Sequence, residues 1–141
     1  MKEFEIEEKI KEGWIKAWFA IEVMGSSKEI TENALKNHIE KMSRAKDLLI
    51  LDKRFLDIEK IETKDKNFKE AYSQVVEVTL LIKDLFSLIV AVVLYGPSAI
   101  EILEPKEKKI KIDEIQNISN FIAGLMHQFA QAGPGGIVIK T

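Results

Sequence analysis

Residues 72 to 105 are the most apolar stretch of the chain, with the sequence YSQVVEVTLLIKDLFSLIVAVVLYGPSAIEILEP. In its first part the even positions are mainly apolar, the odd positions are mixed, and several side chains are β-branched. A period of two in such residues is typical of a half-buried strand, so we predict one over Tyr72–Lys83. The residues that follow predict a helix over Asp84–Tyr95 and a second strand over Ser98–Glu104.

The predicted central helix has recognisable ends. Asp84 stands at the N-cap position, where its carboxylate can accept hydrogen bonds from the free amides of the first turn. Gly96 can adopt the left-handed conformation that closes a helix, and Pro97 cannot continue one. A membrane-spanning helix is excluded here, because Lys83 and Asp84 limit the apolar run to Leu85–Leu94. A span needs about 20 apolar residues.

The composition predicts one soluble globular domain over residues 1–141. Hydrophobic residues make up 46% and charged residues 31%, and the net charge of −2 gives no reason to expect wholesale phosphate binding. The chain has no cysteine, which excludes disulfides, thiolate metal sites and cysteine nucleophiles. Its highly charged first twelve residues do not resemble a signal peptide, so we expect a cytoplasmic protein. The many Glu, Lys and Ile residues fit a thermophile's composition.

The N-terminal part predicts a strand followed by a helix. Residues 1–12 are an amphipathic lead-in with both strand-like and helix-like spacing. Apolar and polar positions alternate from Trp14 to Met24, which predicts a strand, and a helix over the same residues is the alternative. The Ser26-x-x-Glu29 pattern is a capping box, which predicts a helix start. The buried stripe of this helix is predicted to contain Ile30, Ala34, Leu35, His38, Ile39 and Met42.

The remaining segments are a strand, a loop and a last helix. Leu48–Ile61 predicts a strand that is interrupted at Asp52–Arg54, where we expect a bulge or an overhang beyond the core. Residues 63–70 are a charged loop. A C-terminal helix over residues 113–132 precedes a tail, residues 133–141, which is interpreted as a short edge strand or an ordered end. The core stripe of that helix is predicted to be Ile115, Ile118, Ile122, Leu125, Phe129 and Ala132.

In chain order these elements are β-α-β-β-α-β with an additional C-terminal helix. This order predicts an α+β fold of the ferredoxin-like type, in which an antiparallel sheet carries both helices on one face. We expect a single ferredoxin-like domain. The chain shows no internal repeat that would indicate a repeat architecture.

Such a sheet leaves one face open. We predict that this face carries Trp14, Lys16, Trp18, Val75, Glu77, Thr79 and Leu81. Two tryptophans beside aliphatic side chains form an apolar area too large to leave in contact with water. Three interpretations remain open: the C-terminal helix covers the face, a second subunit stacks on it, or it binds a small-molecule ligand or single-stranded RNA. RNA ranks last, because Glu22 and Glu77 would repel phosphates.

The sequence contains no catalytic or metal-binding pattern. Neither His38 nor His127 has a second ligand three or four residues away, so we predict no metal site and no cofactor. The serines lack a nucleophile elbow, and residues 133–136 lack the partners of a phosphate-binding loop. The lysine-rich segment at residues 106–111 is flanked by acidic residues and predicts a solvated connection, so nucleic-acid binding is not expected.

These observations favour a small oligomeric binding or regulatory module, most simply a homodimer that forms through the open sheet face. The alternative is a small enzyme with an active site shared between subunits. Its candidate residues are Asp52, Arg54, Tyr72 and His127. An RNA-binding ferredoxin-like module is a second alternative.

Overall fold

The computed structural model describes residues 1–62 and 70–131. In these residues the chain is an α+β protein with four helices and one open, five-stranded antiparallel sheet. The chain forms two compact units, Met1–Glu107 and Lys108–Thr141. The elements in chain order are α1 (Glu3–Lys11), β1 (Ile15–Gly25), α2 (Lys28–Ser43), β2 (Leu48–Phe55), β3 (Glu59–Ile61), β4 (Ala71–Ile82), α3 (Leu85–Tyr95), β5 (Ala99–Glu104) and α4 (Ile112–Gln131). The predicted tail and nearly all of the predicted charged loop lie outside the described residues.

The strands of the sheet lie in the order β2-β4-β1-β5, and β3 pairs with the start of β4. β1 and β4 form the central antiparallel pair, with a register that runs from Ile15 opposite Ile82 to Gly25 opposite Tyr72. β2 pairs with the other side of β4, and β5 pairs with the other side of β1. β4 therefore pairs with three strands, β1, β2 and β3, while β5 pairs with β1.

The alternation of apolar residues predicted the central strands. β1 confirms the strand over residues 14–24, and the helical alternative for that segment is wrong. The single strand predicted over Leu48–Ile61 is instead two strands, β2 and β3, because the chain is irregular at residues 56–58. A register shift between Ile50 and Asp52 is the bulge that the charged interruption predicted. The amphipathic lead-in is the helix α1.

The core lies between the sheet and the helices α2 and α3. Alternate residues of β1 and β4 point toward the helices, and Phe19, Val78 and Leu80 among them are fully buried. α2 contributes Leu35, and α3 contributes Ala91. Burying a large aliphatic or aromatic side chain stabilises the folded chain by about 1.5–3 kcal/mol. This cluster therefore holds both helices on one face of the sheet.

The start of α2 differs from the prediction by one residue. Its N-cap is Ser27 rather than Ser26, since the Ser27 hydroxyl oxygen accepts a hydrogen bond from the backbone N–H of Ile30 at 3.1 Å. The buried residues of α2 are Thr31, Leu35, Ile39 and Met42. The stripe therefore starts at Thr31, while Ile30 is 56% exposed. The Thr31 hydroxyl is satisfied locally, because it donates to the Ser27 carbonyl oxygen at 2.7 Å.

Both predicted ends of α3 are confirmed. The Asp84 carboxylate accepts a hydrogen bond from the backbone N–H of Ser87 at 2.8 Å, as an N-cap does. Gly96 has φ 56° and ψ 50°, the left-handed conformation, and its N–H donates to the carbonyl oxygen of Val92 at 3.0 Å. The helix therefore begins and ends where these residues predicted.

Replacing Gly96 by alanine is expected to lower the free energy of unfolding by about 1–2 kcal/mol, because a Cβ is unfavourable in the left-handed conformation. The added Cβ would meet no atom within 4 Å, so the change isolates the backbone conformation from packing. Gly96→Asn is the control and should lose less, since asparagine tolerates this conformation better. Urea unfolding of the three proteins measures the difference. An alanine variant as stable as the native chain would contradict this helix end.

The unit Lys108–Thr141 contains α4, which agrees with the predicted C-terminal helix to within one residue at each described end. None of the residues of α4 is buried. Of the predicted stripe, Ile115, Ile122 and Phe129 are 47%, 44% and 53% exposed. Ile118 and Leu125 are partly buried, and Ala132 lies outside the described residues. Over residues 1–62 and 70–131, no helix has the length and apolar character to cross a membrane.

Candidate functional site

The sheet face opposite α2 and α3 brings together most of the residues predicted to bind a partner. The register sets Lys16 opposite Leu81, Trp18 opposite Thr79, Glu77 opposite Ala20, and Val75 opposite Glu22. Trp18 is half-buried, however, and Leu81 is fully buried although it lies on this face. The open face is therefore less exposed than the sequence alone suggested.

Trp14 is separate from this group. It precedes β1, and its backbone N–H donates to the Lys9 carbonyl oxygen at 3.0 Å. The Lys9 ammonium lies 4.5 Å from the centroid of the Trp14 ring, a cation–π contact. Trp14 is thus engaged at the junction between α1 and β1, where it fixes the entry of the chain into the sheet.

The charged residues of the open face are paired across strands. Arg54 of β2 forms an ion pair with Glu77 of β4 at 2.7 Å, and Lys16 lies 4.0 Å from Glu104 of β5. Surface pairs of this kind contribute about 0–1 kcal/mol to stability. Arg54 also offsets the negative charge of Glu77. The face is therefore less repulsive to anions than Glu77 alone implied.

The candidate residues for an enzyme are not all brought together. Asp52 lies opposite Thr79, whereas Tyr72 is seven residues away along β4, roughly 23 Å, and on the other face of the sheet. His127 belongs to the unit that contains α4. Asp52 and Arg54 share a face of β2, and their role in catalysis stays a prediction.

Tyr72 is part of a polar cluster with Glu70 and Lys60. The tyrosine hydroxyl donates to Glu70 at 3.1 Å, and the Lys60 ammonium donates to the same carboxylate at 3.2 Å. The hydrogen bond from Lys60, with that from Tyr72, holds the pKa of the Glu70 carboxyl below its usual value. The same bond raises the pKa of Lys60. This cluster links β3 to the start of β4 at the surface.

Exposed aliphatic side chains of the unit Met1–Glu107 occur at the end of α3 and along β5. Val93 and Leu94 are 41% and 64% exposed, and Ile100 and Ile102 are 44% and 47% exposed. The partners of Ile100 and Ile102 on β1 are core residues, so both isoleucines point to the side of the sheet that carries α3. Leu94 is not part of this group, because it lines a cavity with Ala45 and Leu48 near the start of β2. We name Ile100 and Ile102, together with the outer edge of β5, the β5 surface.

β5 is also an edge of the sheet. All six of its residues are exposed, and among the described strands it pairs only with β1. Within residues 1–62 and 70–131, the N–H and C=O groups of β5 that point away from β1 therefore face no neighbouring strand, which is the arrangement to which another strand can add. Exposed apolar side chains thus adjoin an unsatisfied backbone edge.

The profile of the MJ0538 family matches residues 16–137 of the chain. The chain belongs to the MJ0538 family. The match extends from the second residue of β1 to beyond the end of α4, so it includes every strand of the sheet. The name of the MJ0538 family states no activity. No curated protein and no solved structure shows significant similarity to the chain.

In this MJ0538-family chain His38 has a structural contact. Its Nε2 lies 2.9 Å from the carbonyl oxygen of Tyr95, and the two rings meet edge to face at 5.7 Å. The contact joins α2 to the end of α3. Over the described residues of the chain, no group of three or more His, Asp or Glu side chains could hold a metal ion.

Two features of the MJ0538-family chain were not predicted from its sequence. One is the exposure of Ile100 and Ile102, which the pattern of β5 does not distinguish from burial. The other is Gln74, a buried residue of β4 that points toward the helix side of the sheet. A lone glutamine among apolar even positions was the available signal for the second.

Proposed function

We propose that this MJ0538-family protein is a homodimeric binding module whose subunits associate through the β5 surface. The proposal retains the oligomeric module that the sequence favours and changes its interface. The observation that carries it is that two exposed isoleucines, Ile100 and Ile102, lie on a strand that pairs on one side only among the described residues. The open sheet face, through Trp14 and Trp18, is the alternative interface.

Association through this surface would remove two unfavourable features at once. Buried apolar surface contributes roughly 25 cal/mol per Å², so burying aliphatic side chains such as Ile102 favours association. Backbone groups at the outer edge of β5 gain hydrogen bonds when a second strand pairs with them. In a dimer with a two-fold axis, the same surface of each subunit packs against its copy, so both surfaces are buried together.

The register of such a pairing follows from the pattern of β5. A two-fold axis at Glu101 would set Ile100 of each copy opposite Ile102 of the other, on the side of α3. The Glu101 carboxylates would then face each other on the opposite side, and like charges opposite one another are unfavourable. We therefore expect Glu101→Gln to tighten the dimer. Glu101 also lies beside Trp18 on the open face, so the isoleucine variants, not this substitution, distinguish the two interfaces.

For the fold we propose a ferredoxin-like arrangement in the unit Met1–Glu107, with β3 as an inserted strand. What supports this is the chain order β1, α2, β2, β4, α3, β5. The strand order agrees, since β4 lies between the two strands that α2 connects, as in a split β-α-β unit. Helices of this kind cover one face and leave edges such as β5 available for association.

The test of the dimer is sedimentation equilibrium of the full chain at micromolar concentration. We expect the native protein to be a dimer and Ile100→Glu/Ile102→Glu to be a folded monomer. Two charges cannot be buried at the interface without a large penalty, while the exposure of both positions allows the subunit to fold. Far-ultraviolet circular dichroism checks that the variant keeps its secondary structure.

The matched control is Ile30→Glu, an equally drastic change at an exposed isoleucine of α2, which should leave the dimer intact. Trp14→Glu/Trp18→Glu tests the alternative interface. A native chain that sediments as a monomer contradicts the proposal. If the double tryptophan variant is a monomer and the double isoleucine variant is a dimer, the interface is the open face.

A further inference from the structure

The helix α4 carries an apolar stripe whose members are spaced alternately by three and four residues. The stripe consists of Ile115, Ile118, Ile122, Leu125 and Phe129. This alternation keeps the side chains on one line of the helix, and it is the spacing at which two helices pack side by side as a coiled coil. The first, third and fifth members are 44–53% exposed, so this line is not covered by the described residues of the chain.

The composition of α4 also indicates that it packs against another protein surface. Residues 115–131 contain no Asp, Glu, Lys or Arg. Charged residues make up 31% of the whole chain, so about five would be expected in a surface segment of this length. Surfaces that become buried between proteins are depleted in charge at their centre. A helix that stands in water has no reason for such a depletion.

The same composition argues against a membrane as the partner. Helices that lie on membranes carry Lys and Arg on their polar face, and residues 115–131 have neither. The segment before the helix is lysine-rich, but over residues 104–114 its four lysines are matched by four acidic residues, Glu104, Glu107, Asp113 and Glu114. This segment therefore has no net charge that would attract anionic lipids.

We infer that the α4 helices of two copies of the chain pair side by side and antiparallel within the proposed dimer. A parallel pair would place the two acidic first turns, with Asp113 and Glu114, beside each other, and like charges repel. An antiparallel pair keeps these turns apart and sets the helix dipoles in opposite directions. The pairing rests on the proposed function, because association of the subunits holds the two helices at a high effective concentration.

The stripe also selects a register for the pair. If Ile122 of each copy lies opposite Leu125 of the other, Ile118 of each copy lies opposite Phe129 of the other. Each of these side chains then meets a large apolar partner. The neighbouring register would set Phe129 opposite Lys111 and bring an ammonium group into the apolar contact, which is unfavourable.

Cysteine cross-linking tests this arrangement, because the chain has no cysteine of its own. Full-length Ile118→Cys and Phe129→Cys chains are prepared separately, mixed until subunits exchange, and treated with a short thiol-specific cross-linker. We expect cross-linked dimers from the mixture and few from either variant alone. In the antiparallel pair, the two copies of residue 118 are roughly 16 Å apart along the helix. Cross-linking of each variant with itself would show a parallel pair and contradict the inferred arrangement.

Asn120→Cys mixed with His127→Cys is the matched control. These two residues oppose each other in the same register, but both are exposed and lie on the side of α4 away from the stripe. We therefore expect no cross-linked dimers from this mixture. Equal cross-linking of the two mixtures would reflect random collisions and overturn the inference.

Sedimentation equilibrium gives a second measurement on the full chain without cysteines. Ile122→Ser removes an aliphatic side chain from both subunits and should weaken the dimer about tenfold. Asn120→Ser, on the other side of the helix, should leave the dimer unchanged. Because no residue of α4 is buried within the chain, neither substitution should unfold the subunit, and circular dichroism checks this.

The two measurements separate the helix pair from the β5 surface. A native chain that sediments as a dimer without cross-linking between residues 118 and 129 contradicts the helix pair alone. A monomeric native chain contradicts both. Cross-linking that persists after Ile100→Glu/Ile102→Glu supports the helix pair and contradicts the β5 surface. Binding of the native chain, but not of Ile122→Ser, to vesicles of phosphatidylcholine and phosphatidylserine would assign the stripe to a membrane and overturn the inference.

Discussion

Replacing Phe19 by alanine is expected to lower the free energy of unfolding by about 3–5 kcal/mol, the range for deleting a buried aromatic ring. Phe19 has no exposed surface, and it lies on the central strand β1 between Val78 of β4 and Ile100 of β5. Its ring belongs to the cluster that α2 and α3 cover. Strands on both sides prevent collapse of the cavity, so the loss should fall in the upper part of the range.

Urea unfolding at one fixed protein concentration measures this change, since an oligomer unfolds in a concentration-dependent way. The control is Ile30→Ala, which removes a large side chain from a position that is 56% exposed. It should change the free energy of unfolding by less than about 0.5 kcal/mol. Similar losses for the two variants would mean that the core is not where the structure places it.

Replacing Gly25 by alanine is expected to lower the free energy of unfolding by about 1–3 kcal/mol, through steric overlap. An added Cβ would lie 2.5 Å from the hydroxyl oxygen of Thr31 and 3.2 Å from its backbone nitrogen. Thr31 cannot move aside easily, because it is fully buried and its hydroxyl donates to the Ser27 carbonyl oxygen. The end of β1 and the first turn of α2 are therefore in contact at a glycine.

A double-mutant cycle separates this overlap from other effects. Thr31→Ala removes the closest atom, so Gly25→Ala should be less harmful in that background than in the native chain. Gly124→Ala in α4 is the matched control, because the new Cβ meets no atom within 4 Å and alanine favours a helix. Strict additivity of the Gly25 and Thr31 substitutions would show that the two residues are not in contact.

The local features of this fold could be predicted from the sequence because each depends on neighbouring residues. Alternation over eleven residues defines β1, and an acidic N-cap with a glycine at the far end defines α3. The bulge near Asp52 follows from charged residues inside an apolar pattern. The cap of α2 differs by one residue, since Ser26 and Ser27 are equally good caps in the sequence. Leu35, Ile39 and Met42 are buried as predicted, while Thr31 takes the inward place of Ile30 and Ala34 is exposed.

Only the tertiary structure decided which surfaces are exposed and which charges are paired. Arg54 and Glu77 are 23 residues apart and meet because the bulge in β2 shifts its register against β4. The exposure of Ile102 follows from the place of β5 at the edge of the sheet, although its pattern resembles that of a covered strand. The link after β2 brings the Leu56 carbonyl oxygen to the Gln74 Nε2, and among the described residues the buried Oε1 of Gln74 has no hydrogen-bond partner. Pairings of this kind join residues that are distant in the chain, so the local periodicities and caps in the sequence do not specify them.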